Sequence, residues 1–209
     1  MGLPVLILGK SGTGKTASMR NFKKEEVGVV NVLGKPLPFK NDLACYVSDD
    51  YRAIKQVLLK SKNNTIVIDD AGYLITNQFM RGHGSGKAQG SSVFDLYNAL
   101  ADNFWSLINF IAYELPDEKI VYLMMHEDKN DFGDVKPKTI GKMLDDKVCL
   151  EGLFTIVLRS VKSDDKHLFK TISDGLDVCK TPMNMFEDDY IDNDLKVVTQ
   201  TIRNYYKGE

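Results

Sequence analysis

Nothing in this sequence staples the chain together or ties it to a lipid surface. Its three cysteines, Cys45, Cys149 and Cys179, are odd in number, far apart and without a CxxC pair. That excludes a disulfide framework and a cysteine-based zinc site, and predicts free thiols in a reducing compartment. No apolar run reaches the ~18 residues that a membrane-spanning helix needs. The opening stretch MGLPVLIL is too short and lacks the basic flank of a signal peptide, and Leu6 stands where a myristoylation signal wants Ser or Thr. A cytoplasmic protein without a membrane partner is expected. A surplus of positive charge is also missing, since 27 Lys and Arg face 29 Asp and Glu for a net charge of -2. Such a balance argues against coating nucleic acid by bulk charge. Only five of the basic residues are arginine, Arg20, Arg52, Arg81, Arg159 and Arg203, which argues against a site that clamps several phosphates with guanidinium forks. No repeat and no low-complexity linker divides the 209 residues, so a single domain over 1–209 is expected.

What is present is an alternation of short apolar runs with helical spacing. VLIL at 5–8, TIVI at 65–68 and IVYLMM at 120–125 are continuous and apolar, as expected of strands buried on both faces. Residues 29–33 predict a further strand. Helices are predicted over about 15–24, 51–61 and 94–115, the last ended by Pro116. Residues 154–158 and 167–172 read as two later strands, a hairpin around Ser163, Asp164 and Asp165, and 194–206 as a closing helix. The pattern predicts an α/β fold: a mainly parallel central sheet flanked by helices, with a C-terminal β-hairpin and helix extension over about 176–209. The segment RGHGSGKAQGSS at 81–92 holds four glycines and no large apolar residue, and is expected to be a mobile surface loop of the functional kind.

Three motifs carry chemistry. The first, Gly9, Lys10, Ser11, Gly12, Thr13, Gly14, Lys15 and Thr16, matches G-x-x-x-x-G-K-[ST] between a predicted strand and a predicted helix. Glycines there let backbone N–H groups curl around a phosphate, and the helix start adds its positive end. The pattern assigns these eight residues to ATP, Lys15 to the β- and γ-phosphates, and the Thr16 hydroxyl to Mg²⁺. The second motif is the apolar strand ending in Asp69 and Asp70. A carboxylate at the carboxyl end of a parallel strand faces the ligand crevice, so Asp69 is assigned to the metal and Asp70 to polarising an attacking water. The third is His126, followed by Glu127, at the end of 120–125, where a polar residue can touch the γ-phosphate and report its hydrolysis. Two further sets of cations are candidate fingers for a neighbouring subunit's γ-phosphate, or candidate DNA contacts. They are Lys136, Lys138 and Lys142 in KPKTIGK, and Arg159 at the end of the 154–158 run.

The order of GKSGTGKT, TIVIDDAGYL, IVYLMMHED and KPKTIGKML, with NVLGKPLPF, LEGLFTIVLR and MFEDDYIDNDL, resembles the RecA-like P-loop ATPases encoded by phages of low-GC Gram-positive bacteria. The resemblance spans nearly the whole chain. It implies a RecA-type P-loop core, ATP with Mg²⁺, a homo-oligomer, and a place in phage recombination or replication in the host cytoplasm. It also implies DNA-facing loops at 81–92 and 128–141, acting on single-stranded DNA or through a recombination or single-strand-binding partner. Neither loop interleaves aromatics with arginine for base stacking, so nucleic-acid contact falls to a few lysines or to the partner. Two other functions fit the same motifs. One is a nucleotide-gated oligomeric module with little hydrolysis, and the other a P-loop nucleotide kinase, for which 81–92 offers a single arginine.

Overall fold

The computed structural model describes residues 1–83, 91–130, 132–141 and 148–207. Among them, nine strands form one mixed sheet in the order β3-β2-β4-β5-β1-β7-β8-β9, with β6 paired to an extension of β5. The strands are β1 (Leu3–Gly9), β2 (Gly28–Asn31), β3 (Cys45–Val47), β4 (Thr65–Asp69), β5 (Ile120–Lys129), β6 (Val135–Pro137), β7 (Ile156–Ser163), β8 (Lys166–Lys170) and β9 (Tyr190–Asp192). The run from β3 to β7 is parallel throughout, while β8, β9 and β6 add antiparallel. The architecture is therefore α/β with a mixed sheet, as the alternation predicted.

The sheet is buried on both faces because its central strands have no polar side. In β1, Leu6 and Leu8 join one core while Val5 and Ile7 join the other, the strict alternation of a pleated strand. The first core is roofed by three helices. α1 (Tyr51–Lys60) is capped by the Asp50 carboxylate, which accepts from Ala53 N at 2.7 Å, and buries Ile54 and Leu58. α2 (Gly72–His83) buries Leu74 and Ile75. α3 (Ser91–Glu114) lays down Leu100, Phe104, Leu107 and Ile111 at helical spacing. At 24 residues α3 is about 36 Å long, yet no helix of the described residues is long and apolar enough to cross a membrane. The second core is closed by α4 (Leu195–Lys207) through Leu195, Val198 and Ile202.

Three expectations change. The helix predicted over 15–24 is a single 3-10 turn, Thr16–Met19. The Ser18 hydroxyl donates to Lys15 O at 2.6 Å, and Arg20 N and Phe22 N bond back to Ala17 O and Met19 O. This i→i+3 ladder tightens the turn and ends it. The hairpin and helix of the C-terminal part are built into the sheet: β7 lies directly beside β1, and Thr199 of α4 shares a hydrogen bond of 2.8 Å with the buried Tyr122 hydroxyl. The loop expected at 81–92 is helical at both ends, since 81–83 finish α2 and 91–92 begin α3; 84–90 lie outside the described residues.

Candidate functional site

Parallel strands end on the same side of the sheet, so the residues at and just past their carboxyl ends converge. Gly9 of β1 stands opposite His126 of β5, and Asn31 of β2 opposite Asp69 of β4. Because β5 runs between β1 and β4, His126 falls between the glycine loop and the two acids. The cleft there has a volume of about 360 Å³ and is lined by Lys15, Thr16, Lys35, Asp69, Asp70 and His126 together with the loop glycines and His167. That volume lies at the lower end of the range for small-ligand sites.

Lys15, Thr16, Asp69 and Asp70 each have a defined partner. Lys15 is 7% exposed, and its ammonium donates to Gly9 O at 2.7 Å and Lys10 O at 2.9 Å. Burial depresses its pKa, opposed by the carboxylates of Asp70, Asp69 and Glu127. The Thr16 hydroxyl lies 3.0 and 3.1 Å from the two carboxylate oxygens of Asp69 and donates to that group. Asp69 is buried, and burial, followed by the neighbouring Asp70 charge, pushes its pKa up to about 6 against the Thr16 bond. A hard-oxygen pair of hydroxyl and reluctant carboxylate is suited to Mg²⁺, which takes few protein ligands and completes its shell with phosphates and water. No cluster of three or more His, Cys, Asp or Glu among the described residues offers an all-protein cage.

Asp70 takes the left-handed backbone conformation, φ 58°, a region that Gly, Asn and Asp enter more readily than other residues. The turn carries its carboxylate away from the strand, 3.1 Å from Lys35 Nζ and 3.6 Å from His126 Nε2. His126 has its pKa lowered, first by burial and then by the Lys15 charge, so its imidazole is neutral at pH 7. The ring of Tyr73 meets it edge-on at 6.0 Å.

The glycine loop is gripped from the far side of β1. Ser160 Oγ of β7 donates to Thr13 O at 2.7 Å, and His167 Nδ1 of β8 lies 2.8 Å from the same oxygen. A carbonyl only accepts, so the His167 proton sits on Nδ1. Asn193 donates to Ser160 Oγ at 3.2 Å, and Arg20 reaches Asn193 O at 2.6 Å. Gly14 fits this grip for two reasons. Its φ is +102°, and a Cβ there would sit 3.0 Å from His167 Nδ1 and 3.1 Å from Asn193 Oδ1. A four-residue 3-10 turn comes after the loop, so loop N–H groups and the lysines, and little summed helix dipole, face an anion.

Of the finger candidates among the described residues, Lys136, Lys138 and Arg159 do not line the cleft, although the Lys138 charge is near enough to act on His126. Arg159, expected at a subunit boundary, is committed within its own chain. It makes a two-pronged bond to Glu127 at 2.7 and 2.9 Å and lies 3.5 Å from Asp177. The Glu127 bond holds its pKa up. Lys136 lies on β6, opposite Asp128 of β5. Lys138 is exposed and its backbone N–H bonds to His126 O at 2.8 Å. Lys142 lies outside the described residues. Sequence reasoning passed over Lys35, Ser160, His167 and Asn193. Only Lys35 had a signal, because it comes after the carboxyl end of a parallel strand as Asp70 does. No family model and no curated protein matches this chain.

Proposed function

We propose that this chain binds ATP with Mg²⁺ and hydrolyses it, as a RecA-like P-loop ATPase does. The observation that carries the reading is the convergence of Lys15, the Thr16–Asp69 pair, Asp70 and His126 on one cleft beside the glycine loop. Loop N–H groups and Lys15 hold the β- and γ-phosphates, and Thr16 with Asp69 hold the cation. Mg²⁺ in that place supplies charge neutralisation on the phosphate oxygens. Asp70 accepts a proton from the attacking water as the new P–O bond forms and the bond from the γ-phosphorus to the β–γ bridging oxygen breaks, leaving ADP and phosphate. The neutral His126 stays within reach of Asp70 and of the phosphate. No arginine lines the cleft among the described residues, which disfavours a nucleotide kinase, whose lid arginines hold two substrates.

The service of phage DNA recombination or replication, through single-stranded DNA or a DNA-handling partner and as a homo-oligomer, is proposed on the resemblance of the sequence motifs. The test is release of phosphate from ATP with Mg²⁺, measured with and without single-stranded DNA. Lys15→Ala should lower turnover at least 100-fold, the order expected for loss of a positioned phosphate donor, with the fold intact. Normal turnover in that variant overturns the reading. Tight ATP binding with no turnover, with or without DNA, transfers it to the nucleotide-gated module.

A further inference from the structure

The cleft contains a second lysine to which none of the three chemical motifs assigned a role. Lys35 lines it beside Lys15, whereas Lys136, Lys138 and Arg159 do not. Its place is built by the chain on both sides. Asn31, buried at the end of β2, donates to Lys35 O at 2.6 Å and fixes the backbone there. Gly34 turns the chain at φ +65°, where a Cβ would press to 3.1 Å from Val47 Cγ1. Pro36 and Pro38 line the cleft just beyond, and their rings restrict φ so that the strap keeps its course. The Lys35 ammonium stands 5.4 Å from the centroid of the Tyr73 ring and 3.1 Å from Asp70. Its charge is one of those that depress both Lys15 and His126.

Building on the ATPase reading above, we propose that Lys35 is a cis-acting sensor of the γ-phosphate. A terminal phosphate held by Lys15 brings dianionic oxygens into the space that Lys35 shares with Asp70, and competes with Asp70 for the same ammonium. On transfer, Lys35 neutralises charge on the phosphoryl group that leaves for water, the part given to an arginine finger in other phosphoryl-transfer sites. The same movement frees the Asp70 carboxylate to take the proton of the attacking water. ADP has no terminal group to draw Lys35 away, so the Lys35–Asp70 pair is compatible with bound ADP and is broken by ATP. The lysine therefore discriminates between the two nucleotides and links recognition of ATP to release of the base.

The side chain of Lys35 is 61% exposed, so its substitution should leave the fold in place. The experiment compares wild type, Lys35→Gln and Lys35→Arg for turnover of Mg-ATP and for affinity toward Mg-ADP and the slowly hydrolysed analogue ATPγS. Lys35→Gln is expected to lower kcat at least 20-fold and weaken ATPγS at least tenfold, with ADP affinity within twofold; Lys35→Arg recovers part of both. An unchanged ratio of ATPγS to ADP affinity in Lys35→Gln overturns the proposal, and so does an equal loss of both nucleotides, which is what a merely structural strap would give. The ratio decides the matter even in a wild type that binds without turning over. A wild type that binds neither nucleotide overturns the ATPase reading itself, and the role of Lys35 with it.

Discussion

Replacing Asp69 by Asn probes the electrostatics of the cleft before any nucleotide is added. The carboxyl titrates near 6 in place of 3.8 because it is buried beside Asp70. At roughly 1.4 kcal/mol per pH unit, the ionised carboxylate at pH 7.5 destabilises the folded chain by about 3 kcal/mol relative to the unfolded one. The sign comes from linkage: the folded state binds the proton more tightly than the unfolded one, so this group's contribution to stability falls as pH rises from about 4 to about 6. Asp69→Asn removes the penalty and keeps a group of similar shape that can accept from Thr16. The buried amide retains some desolvation cost, so a net gain of about 1–3 kcal/mol is expected, or roughly 2–12 °C in Tm for a chain of this size. Thermal unfolding in EDTA reads it directly, and at pH 4 the gain should shrink below about 1 kcal/mol. Protons and Mg²⁺ compete for the same oxygens, so with ADP present the apparent Mg²⁺ affinity of wild type should fall as pH drops through about 6, approaching tenfold per pH unit. The variant should show neither that slope nor Mg²⁺-dependent stabilisation. A Tm at or below wild type at pH 7.5, or a gain as large at pH 4, refutes the burial argument.

Two further substitutions separate architecture from chemistry. Arg159→Ala strands the Glu127 carboxylate, whose side chain is 2% exposed, while Asp177 keeps its 2.8 Å ion pair with Lys170. It should cost about 3–5 kcal/mol of stability, with turnover per folded molecule kept at a permissive temperature. A Tm unchanged alongside a large loss of turnover would instead make Arg159 part of the reacting site. Gly14→Ala puts a methyl group against His167 and Asn193 at a strained φ; it should destabilise by about 1–3 kcal/mol and weaken ADP at least tenfold by titration, and wild-type affinity would dismiss the grip on the loop.

How much of this was legible depended on how local the cause was. TIVIDD at 65–70 announces a buried strand and its terminal acids, because burial on both faces leaves no polar position inside the run. The glycine loop and Asp69 were legible as a pair for a related reason: both mark the carboxyl ends of parallel strands, and the structure places Thr16 against Asp69. The 15–24 segment misled because its apolar spacing suits a helix, while the bond from Ser18 to Lys15 O that ends it is a competition between side chain and backbone. Arg159 was expected at a strand end, but β7 runs on to Ser163 and places it mid-strand; its partner Glu127 lies on the other side of β1, and strand order is not written in any local stretch. Lys35 was hidden by its prolines, which read as a connection, whereas the structure lays that connection along the cleft. Ser160, His167 and Asn193 are ordinary polar residues until tertiary packing brings the first two to one carbonyl and sets Asn193 behind Ser160.

The grip on Thr13 has a consequence in time. During synthesis the glycine loop, at positions 9–16, leaves the ribosome before Ser160, His167 and Asn193, which hold its shape and emerge some 150 to 180 residues later. A nascent chain displaying the full GKSGTGKT motif thus lacks the supports that set the loop's carbonyl and its neighbouring N–H groups. The loop therefore takes its supported shape only after β8, β9 and α4, which pack on the second core, have been made.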